Sequence, residues 1–250
     1  MDAFSAEGWN VTATARNLAK VPPHFTERSN VLVRHLDVTD DSSIRTALAA
    51  SDERFGELDV LINAAGYTQA GTLEELSIDD IRHVFEANFF GLLAVTKSVL
   101  PGFRERRGGH IINFSSLAGA VGLPMVSSYS ASKWAVEGFS EALSREVAHL
   151  GVKVSIIQPG VFVTGLRGSA SFPHQQIDAY RTPDSAAGQR WFDPTPGNLE
   201  AAAAAILSIA DAPAPPLRLY VGHTLDDVRR YAQYRLDEWS QWEALTSTTL

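Results

Sequence analysis

The chain has 250 residues, 45% of them hydrophobic, which is enough to bury one sizeable core, and no cysteine, which excludes disulfides, zinc–thiolate sites and thiol nucleophiles. Its 29 acidic residues outweigh 21 basic ones for a net charge of −8, and RERR at Arg104 to Arg107, the densest basic patch, reads as a solvated helix end, so the composition argues against a nucleic-acid partner. The seven histidines lack metal-ligand spacing, no apolar stretch approaches the roughly eighteen residues of a bilayer span, and MDAFSAEGWN has no signal-segment character, so the expectation is a cytoplasmic protein with no metal and no membrane span.

In chain order, NVTATA reads as a short strand ending at Ala15, Arg16 and Asn17. VLVRHLDVTD (31–40) reads as a strand and a turn, in which Asp37 is a candidate N-cap for the helix of SSIRTALAA. LDVLINAAG (58–66) is nearly continuous in apolar residues, as a parallel strand buried on both faces should be. IDDIRHVFEANFFGLLAVTKSVLPGF (78–103) is a long amphipathic helix with Asn88 in its middle, where an Asn is mildly unfavourable and a bend near Gly91 is expected. HIINF (110–114) is another buried strand. It delivers Ser116 to its carboxyl end, the edge of an open α/β sheet where ligands bind.

The stretch SSLAGAVGLPMVSSYSASK (115–133) carries the chemistry. Tyr129 and Lys133 are four residues apart, which on a helix places both on one face. An ammonium beside a phenol favours phenolate and brings a group of pKa about 10 towards the working range, so Tyr129 is a candidate general acid or base. Such a pair alone is ordinarily just an exposed helix pair; here its context, behind a buried strand and Ser116, selects the functional reading. The helix continues through WAVEGFSEALSREVAHL, where Trp134 reads as core.

VKVSIIQPG (152–160) is a strand ended by Pro159 and Gly160. Residues 165–196 turn polar and Gly/Pro-rich, as a substrate loop or lid does, and Phe172, Tyr180, Trp191 and Phe192 there either line an apolar pocket or anchor the loop to the body. LEAAAAAILSIA is a helix, APAPP a stiff connector, LRLYVG a last strand and DDVRRYAQYRLDEWSQWEALT a closing amphipathic helix. Strands alternating with helices predict an α/β fold in one domain, 1–250.

From about Gly8 to Gly165, and more weakly beyond, the sequence resembles the short-chain dehydrogenase/reductases, NAD(P)-dependent oxidoreductases on a Rossmann-type doubly wound parallel sheet in three αβα layers. The family's Tyr-x-x-x-Lys falls on Tyr129 and Lys133, its carbonyl-binding serine on Ser116 and its proton-relay asparagine on Asn88. Within the family the chain looks most like bacterial and fungal members similar to 17β-hydroxysteroid and retinol dehydrogenases. The resemblance implies that Tyr129 exchanges the proton, that Lys133 lowers its pKa and holds the nicotinamide ribose, that Ser116 orients the substrate oxygen and that Asn88 holds a relay water. It implies a hydrophobic ketone or secondary alcohol as substrate, and a homodimer or homotetramer formed through the helices of Asn88 and Tyr129.

The same resemblance assigns the cofactor contacts. Arg16 follows Ala15 where NAD enzymes carry an acidic residue, which favours NADP(H) over NAD(H). Asp37 and the Val38 backbone match the adenine contacts, and Asn63, Ala64, Ala65 and Gly66 match Asn-Asn-Ala-Gly beside the adenine ribose, with Asn63 tying neighbouring strands. Pro159, Gly160, Phe162 and Thr164 match Pro-Gly-x-Val-x-Thr at the nicotinamide carboxamide, with Phe162 in the valine position.

One departure is large. MDAFSAEGWNVTATARN matches the end of the family's first helix and its second strand, and the glycine-rich Thr-Gly-x-x-x-Gly-x-Gly has no counterpart in the sequence. By comparison about 25 to 30 residues, one strand-and-helix unit, are lacking, so the expectation is an N-terminally truncated fold whose full protein begins upstream of Met1. A catalytically silent binding or scaffold protein that has lost cofactor affinity is the competing expectation.

Overall fold

The computed structural model describes residues 1–164, 171–173, 175–181 and 195–247; the expected substrate loop falls largely on residues outside these, Gly165, Trp191 and Phe192 among them. The short helix α1 (Asp2–Ala6) leads through Gly8, at φ +82°, into strand β1 (Val11–Ala15), which pairs in parallel with β2 (Val31–His35) from Val11↔Val31 to Ala15↔His35. Helix α2 (Asp41–Phe55) returns the chain to β3 (Val60–Asn63). Asp40 caps α2, accepting the Ser42 amide at 2.8 Å, and so displaces Asp37 from the role the sequence allowed it. The Asp37 carboxylate instead accepts the Thr39 amide at 3.0 Å and its hydroxyl at 2.7 Å, closing the turn after β2.

A continuous helix follows, Ile78–Arg106, and in place of the bend expected near Gly91 it has one wide turn just before that residue: α3 (Ile78–Phe85), a π-helical turn (Glu86–Phe90) and α4 (Gly91–Arg106). This 29-residue helix, with a mean hydropathy of 1.2 in its most apolar window, is by length and composition able to cross a membrane, which corrects the expectation that no segment is. In this fold Val95, Val99 and Phe103 on its buried face pack into the core beside Ile44, Ile111 and Val154. Strand β4 (His110–Phe114), the short α5 (Leu117–Ala120), the long α6 (Ser127–Val147) and β5 (Lys153–Pro159) come next, then α7 (Leu199–Ala210), β6 (Arg218–Val221), α8 (Leu225–Gln241) and α9 (Glu243–Ser247).

Strands β3 to β6 form a parallel sheet in that spatial order, each joined to the next through a helical crossover. Side chains alternate across it: Ile111 enters a cluster with Val99, Phe103, Leu143 and Val147, while Ile112 enters another with Phe4, Ile157, Ile209 and Val221. Helices therefore cover both faces, in three layers. Among the described residues β1 pairs only with β2 and β3 only with β4, so the sheet is divided in two between β1 and β3. Side chains bridge the division, because Trp9, Val11, Val60 and Ile62 all pack against the cluster of Phe4 and Ile112.

Candidate active site

The carboxyl ends of β3, β4 and β5, neighbours in the sheet, bring the expected site residues to one edge. At the end of β4, Ser116 caps α5, its hydroxyl accepting the Ala118 amide at 3.1 Å. Helix α6 presents Tyr129 in its first turn and Lys133 in the next, both buried. The Tyr129 hydroxyl faces the side chains of Ser116 and Thr68, near enough for both to favour its ionised form. Lys133 Nζ donates to the carbonyl of Phe114 at 2.8 Å and lies 5.9 Å from the centre of the Tyr129 ring.

The electrostatics correct one expectation. Burial pushes the Tyr129 phenol above its ordinary value of 10.0, outweighing the opposite effect of Ser116 and Thr68. The net shift is thus opposite to the one expected from Lys133 alone, and burial lowers the Lys133 ammonium itself to about 8. Both shifts have the same cause, removal of the charged form from water, and both favour the neutral group.

Asn88 stands at the π turn, fully buried. Its Oδ1 accepts the Tyr67 amide at 2.9 Å, and its Nδ2 donates to the Tyr67 carbonyl at 3.0 Å and to Ser132 Oγ at 3.1 Å. It therefore links the exit of β3 to the residue beside Lys133. Gly66 passes between them so closely that a Cβ there would lie 2.7 Å from Asn88 Oδ1 and 3.8 Å from Lys133 Nζ.

A cavity of about 240 Å³ adjoins this edge, lined by Arg16, Asp37, Val38, Ala64, Ala65 and Gly66. The Asp37 carboxyl is held below the usual carboxylate range, chiefly by its hydrogen bonds from Thr39 and further by the charge of Arg16. Asn63 is not part of that wall. Its Nδ2 donates to Asn113 Oδ1 at 2.9 Å and Thr96 Oγ1 at 3.0 Å, tying β3 to β4 and α4 as expected of it. Beyond Pro159, the Gly160 amide donates to the Val221 carbonyl at 2.8 Å, and a Cβ at Gly160 would lie 2.6 Å from the Tyr220 hydroxyl, so only glycine passes there. Phe162 turns its ring inward against Gly197 and Gly222, and Thr164 is exposed at the end of the run. A larger cavity, about 520 Å³ beside Trp9 and Leu207, contains none of the expected residues. Among the described residues no cluster of His, Asp or Glu could hold a metal.

Thr68, Ser132 and Tyr67 escaped the sequence reading because their roles come from chain segments far from them in sequence. Of the aromatics in the expected loop, Tyr180 is an anchor, its hydroxyl donating to Glu74 Oε2 at 2.7 Å, while Phe172 is exposed.

The family model described as short chain dehydrogenase matches residues 1–173. Human retinol dehydrogenase 8 is 34% identical over 225 residues, 84% of this chain and 71% of that one. A short-chain dehydrogenase from Streptomyces avermitilis superposes with a TM-score of 0.88 at 34% identity, over 100% of this chain and 92% of the other. The structure of ElxO with NADP bound superposes with a TM-score of 0.73 at 25% identity, over 87% of this chain and 89% of the other.

Proposed function

The chain belongs to the short-chain dehydrogenase/reductase family and is an NAD(P)-dependent oxidoreductase, and from that premise we propose that it interconverts a ketone and a secondary alcohol on a hydrophobic small molecule, with NADP(H) as cofactor and Tyr129 as general acid/base. The observation that carries this reading is the buried phenol of Tyr129, facing Ser116 and followed one turn later by Lys133, at the sheet edge beside a cavity of about 240 Å³.

The residues suit the adenosine half of a dinucleotide: Ala64, Ala65 and Gly66 leave room, and Arg16 offers a cation for a 2′-phosphate. When bound, that cofactor supplies the hydride. The chain supplies the proton and the geometry. In the reducing direction Tyr129, kept protonated by burial, gives its proton to the carbonyl oxygen, and Ser116 orients that oxygen. Lys133 holds the cofactor ribose and, as a cation, stabilises the phenolate left behind; Asn88 fixes the backbone of Tyr67 and the hydroxyl of Ser132 around it. Phe162 and Thr164, with Pro159 and Gly160, form the nicotinamide end.

Two relatives support the details: human retinol dehydrogenase 8 an apolar substrate, and the NADP-bound ElxO the phosphorylated cofactor. We extend the reading to a cytoplasmic homodimer or homotetramer, for which Phe90 and Trp134, the latter exposed and not in the core as expected, offer apolar contacts on the expected helices. A second reading, a binding protein without turnover, rests on the division of the sheet between β1 and β3 among the described residues.

Titration of the chain with NADPH and NADH, followed by energy transfer from its five Trp residues, separates the two readings. Saturable binding that prefers NADPH, with the preference cut about tenfold in Arg16→Ala, is the expected result. A folded chain that binds neither nucleotide would overturn the reductase reading.

A further inference from the structure

The described part of the expected substrate loop is held by one buried carboxylate. Glu75 follows β3 in the turn 68–76, and its side chain is inaccessible to solvent. Its Oε1 accepts the Arg181 guanidinium at 2.6 Å and the Ile177 amide at 2.7 Å, and its Oε2 accepts the amide of Thr72 at 2.9 Å. Two of these three donors belong to residues 177–181, more than a hundred positions away in sequence. Next to it, Glu74 accepts the hydroxyl of Tyr180, on the same segment. Arg181 also returns a hydrogen bond to the Ile177 carbonyl at 2.8 Å, closing the segment on itself around the carboxylate.

The other end of the segment is stitched to the catalytic side of the same turn. Gln69 and Ser171 form a parallel bridge, the Ala70 amide donates to the Ser171 carbonyl at 2.9 Å and the Ser171 amide donates to the Thr68 carbonyl at 3.1 Å. The side chain of Thr68 in turn faces the Tyr129 hydroxyl. Gly71 donates its amide to the Met125 carbonyl at 2.7 Å, two residues before α6 begins, and stands against Pro173. The turn 68–76 therefore reaches Tyr129, the root of its helix, residues 171–173 and residues 177–181 together.

We propose that Glu75 is the positioning residue of the substrate side: by gripping Ile177 and Arg181 it fixes residues 175–181, beside 171–173, as a wall on the Tyr129 side, and so sets the apparent affinity for substrate. A carboxylate suits the task because it accepts several hydrogen bonds at once and a charged pair removed from water holds its geometry tightly. The inference rests on the reductase reading for what the wall encloses, and on the hydrogen bonds alone for what holds it. Glu75 does not touch the reacting atoms; its effect passes through Ser171 and Thr68.

The test compares wild type, Glu75→Gln, Arg181→Gln and Arg181→Lys by amide hydrogen exchange at Ile177 and Ala70, and by NADPH-dependent reduction of trans-1-decalone, a bicyclic apolar ketone. Both Gln variants are expected to lose about tenfold in protection at these amides and to raise KM by a similar factor, while kcat and NADPH affinity stay near wild type. Arg181→Lys, which keeps the charge, is expected to restore most of both. Arg181 is partly exposed, so its variants keep the test decisive even where Glu75→Gln fails to fold. Unchanged exchange and unchanged KM in Arg181→Gln would overturn the proposal. A wild type that binds no NADPH or reduces no ketone counts against the reductase reading, and the exchange measurement then decides alone whether Glu75 holds the wall.

Discussion

Lys133 gives its ammonium hydrogen bond to the carbonyl of Phe114, 2.8 Å away, and not to the phenol of Tyr129 four residues before it. The helix α6 is thereby fastened to the end of β4 through the group that the proposed chemistry needs charged. With burial lowering Lys133 to about 8, the ammonium is present at neutral pH and is lost above it. For reduction by NADPH, kcat/KM, which reports the free enzyme, should therefore be level below neutrality and fall as one proton leaves near pH 8. Lys133→Met should remove that limb and lower kcat about a hundredfold or more. A profile that stays flat from neutrality into the alkaline range would contradict the role given to Lys133.

Gly66→Ala separates site geometry from stability. The added Cβ would lie 2.7 Å from Asn88 Oδ1 and 3.8 Å from Lys133 Nζ, so the Asn88 amide must move off the Tyr67 backbone. The expected outcome is weaker NADPH binding and about a tenfold or greater loss of kcat, with a loss of stability near 1 to 3 kcal/mol in urea titration. Full activity in this variant would show that the packing of Gly66 against Asn88 does not matter to the site.

His110, at the start of β4, reports on the core. It is buried, its Nε2 lies 3.0 Å from Ser155 Oγ, and burial lowers its pKa from 6.5 to about 4. Because the folded value lies below the unfolded one, the unfolded chain binds the proton first as the pH drops. Its contribution is fully present above pH 6.5 and is lost as the pH falls towards 4, at most about 3 kcal/mol. Equilibrium unfolding at pH 7.5 and pH 4.5 should show this loss in the wild type and a smaller one in His110→Gln. Equal losses in both would assign acid sensitivity elsewhere.

How much of this could be read from the residues follows from the range of the interactions. The strands β3, β4 and β5 were legible because burial on both faces demands unbroken apolar runs such as HIINF, and the Tyr129–Lys133 pairing because the helical repeat is local. The cap of α2 lies three residues beyond the candidate Asp37: Asp37 and Asp40 are chemically alike, and only the turn at Thr39 decides between them. The π turn at Asn88 replaced a simple bend, a difference of one residue's rotation that no propensity encodes. Least legible were Thr68 and Glu75, whose partners Tyr129, Ile177 and Arg181 reach them only through tertiary packing. The sign of the Tyr129 shift was missed for the same reason, since spacing shows the cation but not the burial.

The most direct test of the central claim is the NADPH-dependent reduction of trans-1-decalone by Tyr129→Phe beside wild type, with nucleotide binding measured on the same preparations. The account predicts that the variant binds NADPH as wild type does and loses turnover by a factor of about a thousand or more, because the only group removed is the phenolic proton donor. Turnover within a few-fold of wild type in the folded variant would contradict it, and would move the proton chemistry of this site away from Tyr129.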